Sequence, residues 1–235
     1  MNYCLEGDLV QYSESYGRID DNSKLFDDSN DLGGTEDSFL NYLIKNIKIY
    51  TGKKSGKEII IGIQMTYQNI KTREIKELPL RINNKKHLIN EDLKIIQFLP
   101  GEYLTNFYIR YMNEAEYIYQ LGFETNKKRK IMVGTEYGED KKVRTNNKGN
   151  IILGTYGYFN QKLDSFGILY MNLKDYLTKF YIGFFELKLK LKKDKLFRNE
   201  NEKKFESFSE SDKFILKTCT LPDGAFFEII KFCIF

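Results

Sequence analysis

Apolar and polar residues alternate with a period of two along much of the first 172 positions of this chain. In EIIIGIQMTY (58–67), Ile59, Ile61, Ile63, Met65 and Tyr67 fall on one face, with Gly62, Gln64 and Thr66 on the other. In TNFYIRY (105–111) Phe107, Ile109 and Tyr111 share a face. In EYIYQLGF (116–123) Tyr117, Tyr119, Leu121 and Phe123 do the same. Successive side chains of a strand point to opposite faces, so these segments predict half-buried strands. Turn signals separate them: TGKKSGK (51–57), LPGE (99–102), TNKKRK (125–130) and NNKG (146–149). Many short strands at this spacing predict an all-β fold, a sandwich, barrel or prism of antiparallel sheets. Helical periodicity is scarce, and its best short candidate runs from Asp175 to Gly183.

The pattern changes after Leu173. FELKLKLKK (185–193) alternates strictly and predicts a strand with one wet face. A charged stretch follows at 198–213, with the character of a linker. The chain then runs FILKTCTLPDGAFFEIIKFCIF (214–235), two apolar segments around a Pro-Asp-Gly turn, which predicts a terminal hairpin. Its last strand is apolar on both faces, so the body, residues 1–12 or a partner chain must cover it. The organisation expected is an N-terminal extension (1–23), a β domain (24–173) and a C-terminal extension (174–235).

Composition supports a folded core: 41% of residues are hydrophobic and 15% aromatic, far from a disordered profile. The net charge of +4 is mild but uneven. Residues 1–40 carry ten acids against two bases, whereas 126–148 and 188–204 each carry eight bases against three acids. Such asymmetry fits solvated loops, an acidic arm on a basic body, or an anionic partner. The basic stretches lack the interleaved aromatics of a base-stacking surface, so no nucleic acid is expected. No apolar run is long enough to span a bilayer. The acidic, polar residues 1–20 do not read as a secretory leader. An odd number of cysteines (Cys4, Cys219 and Cys233) then favours free thiols and a cytoplasmic or other intracellular location.

Catalytic and metal sets are hard to assemble. His87 is the only histidine, no Cys-x-x-Cys pair occurs, and no nucleophile elbow or phosphate-binding glycine loop is present. The acidic DDSNDLGGTEDS (27–38) has Leu32 where a calcium loop needs glycine, and Ser38 where it needs the closing glutamate. The expectation is a protein without catalysis, metal or cofactor. One segment stands out: GTYGYFNQKLDSFG (154–167), rich in glycine and aromatics, with Asp164 just before the chain turns apolar again. Two roles are open to Asp164, ordering a hairpin loop or gripping a ligand.

Five segments in order resemble the jacalin-related lectins, the β-prism family. FDD (26–28) looks like the family's first strand, and IKNIKIYTGKKSGKEIIIGIQMTYQN (44–69) like its paired I-x-x-I-x-I and I-x-G-I-x-V-x-Y strands. LKIIQFLPGEYLTNFYIRY (93–111) resembles the segment around the family's Gly-Glu. YIYQLGFETNKKRKIMVGTEYG (117–138) resembles the L-x-F-x-T-N-K run, and GNIILGTYGYFNQKLDSFGILY (149–170) the closing Gly-x-x-x-Asp segment. The resemblance implies a prism of three antiparallel Greek-key sheets with pseudo-threefold symmetry. It also implies a monosaccharide site at one end, where the aspartate accepts from sugar hydroxyls and neighbouring backbone N–H groups donate.

Carried over by position, that site comprises Asp164, Leu163, Lys162, Asn160 and, from a second loop, Asn113 beside Glu114. Two positions depart from the family. Asn160 replaces the glycine four residues before the aspartate, a change that a left-handed backbone would tolerate. The N-terminal glycine position falls near Ser23. The function implied is weak, non-catalytic binding of a mannose- or galactose-type glycan. The alternative is an intracellular β-prism scaffold whose sugar site is no longer used, docking a protein partner through its C-terminal strand.

Overall fold

Three long antiparallel hairpins, grown from the alternating segments, frame the first 172 residues. The computed structural model describes residues 9–82, 92–99, 101–111, 117–137, 149–177 and 179. The chain divides into two units, Met1–Asn172 and Leu173–Phe235. In the second unit residues 173–177 are helical, overlapping the start of the expected helix. The strand expected at 185–193, the linker at 198–213, the terminal hairpin, the three cysteines and His87 lie outside the described residues.

The strands of the first unit are β1 (Gln11–Tyr12), β2 (Tyr16–Gly17), β3 (Lys24–Asp27), β4 (Tyr42–Lys54), β5 (Lys57–Asn69) and β6 (Ile75–Glu77). They continue with β7 (Asp92–Gln97), β8 (Leu104–Tyr111), β9 (Ile118–Thr125), β10 (Lys130–Gly134), β11 (Asn150–Phe159) and β12 (Leu163–Asn172). One five-stranded sheet orders β12 beside β11 and β11 beside β3, with β1 and β2 both pairing with β12. Residues 11–17, expected as part of an extension, thus join the sheet. A seven-stranded sheet runs β10-β9-β5-β4-β7, with β6 on β5 and β8 on β9.

Among the described residues one pair, Ile60 opposite Ile118, joins β5 to β9. The larger sheet is therefore two faces meeting at a corner, one built on β4 and β5 and the other on β8 and β9. Together with the five-stranded sheet they make the three faces of a prism. The faces close on a shared core: the Phe107 ring lies 6.0 Å from Phe123 and 5.1 Å from Phe166, which bring β8, β9 and β12 together.

Each hairpin carries a bulge at corresponding places in its two strands. On the first strands the extra residues are Lys45, Thr105 and Leu153; on the second strands they are Ile61, Tyr119 and Asp164. A bulge inserts one residue, bends the strand and switches its alternation. This corrects two sequence expectations. Ile59 and Ile61 do not share a face with Ile63, Met65 and Tyr67. They join Ile82 and Tyr119 in a separate apolar cluster, on which Tyr117, Tyr50 and Leu80 pack. Likewise Tyr117 and Tyr119 leave the face of Leu121 and Phe123, and Ile118 enters the core, fully buried.

The acidic stretch 27–38 forms two short helices, α1 (Asp28–Asp31) and α2 (Glu36–Phe39). Asp27 caps the first, accepting from the Ser29 N–H at 2.8 Å, and Thr35 caps the second. Asp28 turns into the core with no exposure. One of its oxygens accepts from the Tyr67 hydroxyl (2.5 Å), the Thr155 hydroxyl (2.6 Å) and the Thr155 N–H (2.9 Å). Arg81 approaches the other at 3.3 Å and also pairs with Asp31. Burial pushes the Asp28 carboxyl upward from its ordinary range, while the Thr155 and Tyr67 bonds and the Arg81 charge pull the other way. Burial and the neighbouring carboxylate raise Tyr67, which keeps its proton to donate.

Candidate functional site

β11 and β12 turn over residues 160–162, where the Asn160 N–H donates to the Lys162 carbonyl at 3.0 Å. Just past the turn Phe159 pairs with Leu163 and Tyr158 with Ser165, which leaves Asp164 as the extra residue of the bulge. The Leu163 side chain goes into the core, fully buried. β2 lies against the other edge of β12, with Gly17 opposite Ser165. Gly17 has φ +127, and a Cβ there would stand 2.1 Å from the Asp164 carbonyl oxygen. Only glycine lets the two backbones approach so closely. From Gly17 the chain passes through 18–22 to Ser23, which brings this segment over Asp164.

The Asp164 side chain, 1% exposed, is held from both sides. The Ser23 hydroxyl donates to Oδ2 at 2.7 Å, and the Lys162 ammonium to Oδ1 at 2.8 Å. Ser23 is itself fixed in a turn: its Oγ accepts from the Asp20 N–H (3.1 Å) and its N–H donates to the Asp20 carbonyl (2.9 Å). Lys162 Nζ lies 3.8 Å from Asp20 Oδ2 and 5.4 Å from the centre of the Tyr117 ring. Asp20 in turn faces Arg18 at 3.7 Å.

Above these groups opens a cleft of about 520 Å³, lined by residues 18–22, Tyr117, Asn160, Gln161, Lys162 and Asp164. It has a carboxylate at its base, amides and carboxylates on its rim, and an aromatic ring on its wall. That is a set of fixed acceptors and donors with one apolar surface, suited to a polyhydroxylated ligand. Tyr117 stands between this cleft and the apolar cluster of Ile59, Ile61 and Tyr119.

Of the residues expected in the site, Asn160, Lys162 and Asp164 come together on the cleft. Leu163 does not line the cleft; it is fully buried. Asn113 and Glu114 lie outside the described residues. Asn160 needs no left-handed backbone: among the described residues only Ser55, Arg73 and Lys128 combine a side chain with positive φ. Sequence reasoning missed the hydroxyl of Ser23, although the loss of glycine at that position was the available signal. It also missed Asp20 and Tyr117, which no local pattern marks.

The glutamate of the Gly-Glu segment is structural. Arg129 grips Glu102 through Nε to Oε1 (2.8 Å) and a terminal nitrogen to Oε2 (2.9 Å), and the Leu99 N–H donates to Oε2 at 2.9 Å. Desolvation raises the Glu102 carboxyl, but the bonds from Leu99, Thr125 and Arg129 outweigh it and hold the group below its ordinary range. Among the described residues no three His, Cys, Asp or Glu side chains gather as a metal site, and no helix is long and apolar enough to cross a membrane.

Comparison with curated protein sequences returns no match. Among solved structures the chain is similar to a mannose binding jacalin related lectin from Ananas comosus, at 20% identity and TM-score 0.51, covering 70% of this chain and 99% of that one. It is also similar to the Calystegia sepium agglutinin, at 16% identity and TM-score 0.52, covering 71% and 99%. A lamprey immune protein matches at 14% identity and TM-score 0.51, over 71% of this chain and 45% of that one. At these identities the likeness concerns the fold. The model of the jacalin-like lectin domain matches residues 27–169, more than half of the sequence, and the chain belongs to that non-catalytic lectin family.

Proposed function

We propose that this protein binds carbohydrate weakly, through a hexose of mannose or galactose type seated in the cleft above Asp164. The observation that carries the reading is the convergence, at the one hairpin end where the family's aspartate falls, of Asp164, the 160–162 turn and the 18–22 segment around a single cleft. A carboxylate oxygen is a strong acceptor for a sugar hydroxyl, and the Gln161 and Lys162 main chain lies within the same turn. Tyr117 offers its ring to an apolar sugar face. The similarity to a mannose binding lectin makes mannose the first sugar to try. One open cleft gives low affinity, so useful avidity requires several copies presented together.

Calorimetric titration of the full chain with methyl α-mannoside and methyl α-galactoside tests this. The expected result is a millimolar dissociation constant for one of them, lost in Asp164→Ala. Equal heats from wild type and Asp164→Ala, or no heat from either sugar, would reject the reading.

A second reading has one observation in its favour: both Asp164 oxygens already have donors within the chain. Here the prism is a scaffold whose sugar site stays closed, and its partner is a protein. Removal of residues 198–235, followed by sizing and partner capture, separates the two. Unchanged capture by the shortened chain argues against docking through the C-terminal strand.

A further inference from the structure

We propose that Lys162 is a built-in competitor for the ligand of this cleft, and that Asp20 is the place to which its ammonium moves when a ligand enters. The proposal rests on the carbohydrate reading above and concerns how that site is regulated from within. Two donors hold Asp164, and they differ in kind. Ser23 belongs to a turn closed by two hydrogen bonds with Asp20, so its hydroxyl is fixed on Oδ2. Lys162 reaches Oδ1 on a flexible four-carbon stem, two residues away on the same strand end. Its ammonium occupies the position that a ligand hydroxyl would need.

A neutral hydroxyl does not compete well with an ammonium, because charge-assisted hydrogen bonds are about twice as strong as neutral ones. Exchange therefore requires somewhere else for the charge to go. The lysine side chain is only 14% exposed, and an unpaired charge at that depth is costly. Asp20 Oδ2 stands 3.8 Å from Nζ, already at ion-pair distance on the opposite wall. A small swing keeps the charge paired and frees Oδ1. Tyr117, its ring centre 5.4 Å from Nζ, lines the path with a face that attracts a cation. The exchange is then one ion pair for another, plus a hydrogen bond from the sugar.

The test follows backbone amide shifts of residues 20–23 and 160–164 in the full chain during titration with methyl α-mannoside and methyl α-galactoside. The proteins are wild type, Lys162→Met, which keeps the stem and removes the charge, and Asp20→Asn. Dispersed amide spectra verify folding, and Lys162→Gln replaces the methionine variant if that one does not fold. Lys162→Met should bind about tenfold more tightly than wild type, and Asp20→Asn more weakly than wild type. Binding by wild type that tightens about tenfold in Lys162→Met supports both the competitor and the sugar site. Binding by wild type with no gain in Lys162→Met overturns the competitor and leaves the sugar site standing. Binding by Asp20→Asn as tight as wild type removes Asp20 from the exchange. No shift in any variant up to roughly 50 mM sugar, well past a millimolar dissociation constant, overturns the sugar site and the competitor with it.

Discussion

Asp28 and Asp164 are both buried carboxylates of the β3–β11–β12 sheet region, but they are satisfied in different ways. Asp28 takes its donors from strands and core: the Thr155 main chain and hydroxyl, the Tyr67 hydroxyl and Arg81. The Thr155 and Tyr67 donors sit on β11 and β5 and cannot leave without disturbing a face of the prism. Asp164 takes its donors from a loop turn and a flexible lysine, Ser23 and Lys162, and it lines an open cleft. On the carbohydrate reading, the number of hydrogen bonds does not separate the structural Asp28 from the ligand-binding Asp164. What separates them is whether the donors can be exchanged.

That contrast can be broken most sharply at Asp28. Asp28→Ala leaves the Tyr67 and Thr155 donors buried without their acceptor and Arg81 with Asp31 alone, and should cost about 3–5 kcal/mol in denaturant unfolding. Asp164→Ala removes an acceptor held by a loop serine and by a lysine that lines the cleft, so its cost should be about 1–3 kcal/mol, with loss of sugar binding. If the two variants are equally destabilised, the distinction drawn here between fixed and exchangeable donors is wrong.

The contrast extends to the other corners of the prism. Ile61 and Tyr119 hold the bulge position that Asp164 holds in the third hairpin, but they are apolar and pack together. No site of this kind is therefore expected at those two bulges. Ile61→Val should cost about 0.5–1.5 kcal/mol and leave sugar affinity unchanged, measured by unfolding and by titration of the same sample.

The smallest effect concerns a third acid, Glu102, which is clamped but lies away from the cleft. Its lowered carboxyl contributes stability that is present above the ordinary glutamate range and lost as pH falls through the depressed folded value. Glu102→Gln should therefore lower stability by about 1 kcal/mol near neutral pH. The difference from wild type should shrink below about pH 4, which unfolding curves at several pH values would show.

Much of the prism was legible because alternation and turn residues act locally. The turn between the apolar runs of 149–170 was legible in the residues, whereas the FDD strand came from the family resemblance; Phe26 and Asp27 end β3, but Asp28 opens α1. The bulges were not legible. Counting by twos assigns every residue a face, and nothing in Ile61 or Tyr119 announces the extra residue that switches it. The calcium-loop likeness of 27–38 already fails in the sequence at Leu32 and Ser38, but the buried role of Asp28 was not legible, because Tyr67, Arg81 and Thr155 lie far along the chain. The same applies to the site: Ser23 and Asp164 are 141 residues apart, and their contact exists only because Gly17 lets β2 close on β12.

A crystal structure of the full chain soaked with methyl α-mannoside tests the central claim most directly. The account predicts the sugar in the cleft with a hydroxyl on Asp164 Oδ1, and the Lys162 ammonium moved onto Asp20. A sugar bound elsewhere, or an Asp164 still held by Lys162 at saturating ligand, would contradict it.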